Sequence, residues 1–296
     1  MFPGMDTMPA SRISGVFLGQ DRRLRLAWRI VLAWIGFFGC LLVVGVAIQA
    51  MTSWLPEVTS NAAASVGIAA SALGLVWLLR RHVDRGPWSG IALTLDRAAI
   101  PLLLSGIVLA GVVSVVAAAA TVQLGLADWG WSANTTKDVA TKGLAITVIL
   151  IALSTVLVQA FPEELVFRGY MYANLGETLP LWAAVVNSSL IFGSMHVFSN
   201  QQAATTVAEH VIYAVAATGF GLMLAACRTV SGTLWLGIGF HCGFDVCNNR
   251  VTIVHHGAFI PAWLVVLAVL VIAAAFTIAV RQWRAPVDWR AIPGGT

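Results

Sequence analysis

Six ionisable residues, Glu163, Glu164, Arg168, His196, His241 and Asp245, fall inside runs that are otherwise apolar. They form three short clusters: Glu163-Glu164-Leu165-Val166-Phe167-Arg168, Phe192-Gly193-Ser194-Met195-His196, and His241-Cys242-Gly243-Phe244-Asp245. Carboxylates and imidazoles at such positions are the side chains that take, hold and return protons during hydrolysis. An ionisable group in hydrocarbon costs about 2.5 kcal/mol or more, so such residues usually turn toward a shared interior cavity and act there. Three clusters on three apolar runs therefore point to one buried polar site of a catalytic kind.

Spacing divides the labour. Glu164 and Arg168 are four apart, share a helical face and can form an ion pair. In a low dielectric the pair is far better than either charge alone. His241 and Asp245 repeat the spacing, as do Phe192 and His196. Glu163 projects about 100° away from Glu164, so one carboxylate can be fixed by Arg168 while the other stays free to accept a proton. Glu163 is the candidate general base toward a trapped water, with His196 orienting that water or shuttling its proton. His241 can stabilise an oxyanion, with Asp245 fixing the ring or adding a donor. Plainer readings stand beside these. The Glu164–Arg168 pair can be a structural staple, and His196 alone would read as a packing histidine. Glu209 and His210 are expected at the membrane interface, His255 and His256 in a solvated loop, and Cys242 in packing.

The elements that must position these residues are membrane helices. The chain has 296 residues, is 59% hydrophobic and only 10% charged, with mean hydropathy +0.86. A soluble domain carries roughly 25% charged residues, so the composition is that of an integral membrane protein. The net charge of +4 matches a loop bias and gives no reason to expect nucleic acid as a partner. The four cysteines have neither zinc-knuckle nor disulfide spacing. About eight apolar runs are long enough to span, near 27–50, 62–79, 99–124, 143–168, 182–198, 204–226, 231–249 and 258–280, the fourth continuing to about Leu175. The first run exceeds a signal-peptide h-region and reads as a retained anchor.

Arginines concentrate in the N-terminal segment, the second connection (Arg80, Arg81, Arg85, Arg97) and the tail (Arg281, Arg284, Arg290). That alternation predicts a multi-pass protein of the cytoplasmic membrane with both termini in the cytoplasm. Trp28, Trp54, Trp77, Trp182, Trp235, Trp263 and Trp283 fall near the proposed span ends, where amphipathic rings favour the interface. Gly36, Gly39, Gly45, Gly237, Gly239 and Gly243 can permit close helix contacts, and Gly243 can leave space beside His241 for a substrate backbone. At 1.5 Å rise per residue, Glu163, His196 and His241 lie roughly 16, 21 and 15 Å from the same membrane face. All three depths fall near the middle of a core about 30 Å thick.

At these residues the chain resembles the CPBP family of intramembrane proteases, which includes CAAX prenyl endopeptidases and bacteriocin-processing or self-immunity proteins. Its pattern of Glu-Glu-x-x-x-Arg, Phe-x-x-x-His and His-x-x-x-Asn is met in order by Glu163-Glu164…Arg168, Phe192…His196 and His241…Asp245. The run Gly221-Leu222-Met223-Leu224…Arg228…Gly232-Thr233-Leu234-Trp235 also resembles the family's approach to its third motif. The resemblance covers about 144–249. Together with the apolar runs, it predicts an all-α polytopic bundle with a site on helices four, five and seven, organised as a cytoplasmic segment 1–25, N-terminal spans 26–142 that match the family only in hydrophobic layout, a catalytic core 143–250, and a last helix with its tail 251–296. It also implies an endopeptidase acting on a membrane-associated or lipidated protein or peptide, with membrane lipid as its other partner. Two mechanisms remain open. In one, zinc or another divalent metal is held by Glu163, His196 and His241. In the other, favoured here, Glu163 and the histidines activate water and no cofactor is required.

One position departs from the pattern: Asp245 stands where the family has Asn. An ionised carboxylate would repel an oxyanion, so Asp245 must be protonated, bind a metal, or orient His241. The departure keeps a catalytically silent binding or immunity protein in contention. A proton- or ion-coupled transporter would use the same buried residues, though no inverted repeat or Gly/Pro-interrupted helix pair supports it.

Overall fold

The computed structural model describes residues 15–19, 21–131, 133–198, 204–248 and 252–293. Expectations for residues 1–14, and for the end of the seventh run at Asn249, lie outside the described residues. Helices α1 (Leu26–Met51), α2 (Glu57–Asp84) and α3 (Ala99–Gln123) come first. Strand β1 (Ala127–Trp129) and the short polar helix α4 (Ala133–Lys142) follow. Then come α5 (Leu144–Gly176), α6 (Leu181–Met195), α7 (Val207–Ser231), α8 (Trp235–Asn248), strand β2 (Thr252–Val254) and α9 (Phe259–Arg284). The two strands pair antiparallel, Asp128 opposite Ile253, and form the small sheet of an otherwise helical bundle.

Among the described residues six helices, α1, α2, α3, α5, α7 and α9, are long and apolar enough to cross a membrane. Of the eight expected spans, six are helices of membrane-crossing length, and the other two runs form the short helices α6 and α8. Helix α6 has 15 residues and α8 has 14, or about 22 and 21 Å, less than the roughly 30 Å core. Local chemistry sets their ends. Pro180 precedes the first turn of α6. Gly232, with φ of +72°, ends α7 in the left-handed conformation that glycine takes without steric cost, just before α8 begins. Leu236 to Phe244 of α8 are all buried, so this helix is enclosed by protein. A helix enclosed in this way has no need to match the bilayer thickness.

Small residues let α8 sit deep. Gly106 and Ala110 are buried on α3, four apart. A side chain on Gly243 would meet the Ile107 backbone at 3.0 Å, and one on Gly239 would meet the Leu103 carbonyl. Backbones approach closely along such a stripe. Gly243 therefore serves packing against α3, not the substrate space expected of it. Helix α7 lies between α6 and α9 and is the most buried of the six spans. Thr206 caps it: Glu209 N–H donates to Thr206 Oγ1 at 3.3 Å, and Thr206 N–H donates to Glu209 Oε2 at 2.9 Å. Glu209 is accordingly a capping residue.

The bundle has a basic end, where the segment before α1, the α2–α3 connection, the α5–α6 turn and the tail meet. There Leu181 N–H donates to Ala291 O and Trp182 N–H to Trp289 O. The opposite end carries the β1–β2 pair, and His255 there lies 2.9 Å from Asp128.

Candidate active site

Helix α5 carries a polar stripe through an apolar run. Thr155, Gln159 and Glu163 recur every four residues and line one cavity of about 170 Å³. From Glu164 to Met171 the helix widens into π-helical turns, all of whose residues are buried. Single π-turns inside α-helices recur at functional sites because the extra residue per turn re-aims the side chains. Here both glutamates reach the same ring. Glu164 Oε1 lies 3.4 Å from His241 Nδ1, and Glu163 Oε2 lies 3.8 Å from His241 Nε2. Asp245 Oδ2, one turn on from His241 along α8, lies 3.4 Å from Nε2.

Arg168 anchors this group. Its Nη1 is 3.4 Å from Glu164 Oε1, its Nη2 donates to the Gly221 carbonyl at 3.1 Å, and its guanidinium stacks 4.2 Å over the Phe192 ring. One side chain thus ties α5 to α6 and α7. Two glycines make the room. A side chain on Gly237 would come within 2.8 Å of Glu164 Oε2, and one on Gly221 within 3.2 Å of Arg168 Nη2. Glu164 and Arg168 are fully buried, where an ion is tolerated only when paired.

His196 enters from the end of α6. Its Nδ1 lies 2.9 Å from the Phe192 carbonyl, one turn back. A carbonyl only accepts, so Nδ1 donates there and the Nε2 edge is the one turned away from the helix's own backbone. The ring packs 4.7 Å from Phe192 and 5.7 Å from Tyr213. His196, Glu163, His241 and Asp245 all line the same cavity. A site needs only about 10–15 Å³ to admit one water, so a cavity of about 170 Å³ has room for several. Of the six expected site residues, four line the cavity and two, Glu164 and Arg168, form the ion pair behind it.

Sequence reasoning passed over Thr155, Gln159, Tyr213 and Trp263, which also line the cavity. The four-residue spacing of Thr155, Gln159 and Glu163 was the signal for the first two. Trp263, expected at the interface, packs 4.8 Å from Tyr213 inside the bundle. The glycine contacts of α3 with α8 are long-range and have no local signature.

A metal reading asks Glu163, His196 and His241 to converge on one ion. Among the described residues no three His, Cys, Asp or Glu side chains are grouped to hold one. His196 Nδ1 is turned to its own helix, and both nitrogens of His241 face carboxylates. As the side chains stand, that donor set does not fit a metal.

A multi-pass helical bundle whose short, enclosed helices bring carboxylates and imidazoles to a buried cavity has the groups that a membrane-embedded hydrolase would need. Residues 145–247 match the family described as type II CAAX prenyl endopeptidase Rce1-like, and this supports the CPBP family as the family of the chain. The matched segment is about a third of the chain and contains every residue of the three motifs. It indicates an intramembrane protease of the CAAX type. No curated protein matches the chain.

Proposed function

We propose that the protein is an intramembrane endopeptidase that hydrolyses a peptide bond of a membrane-associated or lipidated protein, using water activated by Glu163. The convergence of Glu163, His196, His241 and Asp245 on one cavity carries this reading. In this mechanism the reacting water sits in the cavity that Glu163 and His196 both line. As its oxygen adds to the scissile carbonyl, Glu163 takes its proton. The carbonyl oxygen becomes an oxyanion and accepts the Nε2–H of His241, while Nδ1–H of the same ring is held by Glu164. Collapse of the tetrahedral intermediate breaks the C–N bond. The protonated Glu163 then gives its proton to the departing amine, and a new carboxyl and a new amine leave. Arg168 holds Glu164 in place as its counter-ion. Asp245, 3.4 Å from His241 Nε2, has the orienting role, which reconciles its charge with the Asn it replaces. Both termini lie in the cytoplasm, as the arginine distribution predicts.

The test is cleavage of a membrane-peptide library by the purified protein, with and without a chelator. Cleavage that persists in chelator is the expected result. Cleavage lost on chelation and restored by zinc would overturn the metal-free mechanism. Proton flux in liposomes without any cleavage would overturn the protease assignment in favour of an ion-coupled relay.

A further inference from the structure

Away from the cavity, the basic end carries a second concavity of about 690 Å³ lined by Trp77, Arg80, Arg81, His82, Arg85 and Trp88. We propose that it binds the phosphate group of an anionic phospholipid at the membrane face. Arg80 forms its floor and is already neutralised, with Nη1 3.2 Å from Asp84 and 3.3 Å from Glu177 and Nε donating to the Pro87 carbonyl. Glycine makes that floor possible: a side chain on Gly86 would meet the Arg80 guanidinium at 2.6 Å. Arg81 and Arg85 lie one turn apart and are exposed. Among the described residues neither has a carboxylate within ion-pair reach. Arg81 is pre-oriented, its guanidinium 5.7 Å from the Trp77 ring, and His82 packs edge-on against the same ring at 6.1 Å. Two uncompensated guanidiniums therefore face a pocket whose acidic neighbours, Asp84 and Glu177, are taken up by Arg80, Arg29 and Arg23.

Guanidinium forks match phosphate oxygens bidentately. The tryptophans place the pocket at headgroup depth, where indole rings favour the interface. A basic cluster beside a span attracts anionic lipid electrostatically. The concave shape, the shared floor and the stacked Arg81 distinguish this place from the chain's other basic loops. Arg97, in the same connection and equally exposed, does not line the concavity.

Native mass spectrometry of the detergent-solubilised protein, titrated with phosphatidylglycerol or phosphatidylcholine, measures the binding. The wild type retains one phosphatidylglycerol in preference to phosphatidylcholine. Arg81→Gln/Arg85→Gln weakens that retention roughly tenfold or more, from two lost contacts, and Arg97→Gln leaves it unchanged. Equal retention of both lipids by the wild type overturns the site without any variant. An equal loss in Arg97→Gln overturns it in favour of diffuse attraction. Inorganic phosphate serves as the second probe: saturable phosphate binding without lipid retention contradicts a lipid source.

Discussion

Around His241 the carboxylates of Glu163, Glu164 and Asp245 divide one imidazole between them, with Glu164 on Nδ1 and the other two beside Nε2. Glu164 is already held by Arg168, which suits it to fixing the ring, and of the two glutamates Glu163 is the one that lines the cavity. If Asp245 orients His241, Asp245→Asn keeps a hydrogen-bonding group of the same shape and retains most of the wild-type kcat. Asp245→Ala leaves the ring free to turn and lowers kcat by about 10²-fold, within the range typical of acid–base and oxyanion groups, while KM changes little. Steady-state kinetics on a cleaved peptide separates the two variants. Equal, large losses in both would mean that Asp245 acts through its charge. These residues were legible in the sequence because an ionisable group in an apolar run is conspicuous by itself. The direction of each was not. An α-helix separates Glu163 from Glu164 by about 100°, yet both reach one imidazole, because Glu164 lies beside Nδ1 and Glu163 beside Nε2 of the same ring.

At the scale of elements, the account rests on close packing around α8 and on a polar clamp two turns beyond the site on α5. Gly237 faces Glu164 with no space for a methyl group. Gly237→Ala therefore displaces the Glu164 carboxylate from Arg168 or His241. The expected outcome is a folded protein with turnover reduced at least tenfold, comparable to losing a positioning contact. Normal turnover in Gly237→Ala would show that the Glu164 contacts are dispensable. The clamp centres on Asp84, which is fully buried. Tyr170 Oη–H donates to it at 2.7 Å, Asn174 Nδ2 at 3.0 Å and Arg80 at 3.2 Å, with Arg29 3.9 Å away. Removing one member of a buried charge pair costs on the order of 3–5 kcal/mol. Asp84→Ala should thus lower the thermal unfolding midpoint sharply, read by a thiol-reactive dye or by light scattering. Little of this clamp was visible beforehand. Its partners are separated by up to 145 positions, and its arginines are of the kind that orientation rules assign to loops. The lengths of α6 and α8 were also overestimated, because apolarity marks enclosed helices and lipid-facing spans alike.

For the whole molecule, the orientation proposed from the arginine distribution puts the basic end and the sheet end on opposite sides of the membrane. In a variant stripped of its four cysteines, a cysteine at Leu95, which is 89% exposed, should label only from the cytoplasmic side. One at His256, exposed at the other end, should label only from outside. Labelling of both from the same side would contradict the fold. The basic end also sets a pH limit. Glu177 lies outside the spans, and its partial burial disfavours the charged form. The hydrogen bond and charge of Arg29, with Arg23 and Arg80, outweigh that effect and hold its carboxyl below the usual carboxylate range. A depressed folded pKa gives stability that is complete above the unfolded value, about 4.3, and is lost as pH falls through the folded value. Thermal stability should therefore decline below about pH 4, and Glu177→Gln should flatten the decline. The overall bundle and its membrane character followed from composition alone. The enclosure of α8 did not, since it depends on contacts with α3, which lies more than a hundred residues earlier.

The central claim is that water in the cavity is activated by Glu163. The most direct measurement is the single-turnover cleavage rate of Glu163→Gln beside the wild type, in chelator, with folding of both verified by thermal unfolding. The glutamine keeps the size and the position and removes only the ability to take a proton, so the account predicts a loss of at least about 10²-fold. A Glu163→Gln rate equal to that of the wild type would contradict it.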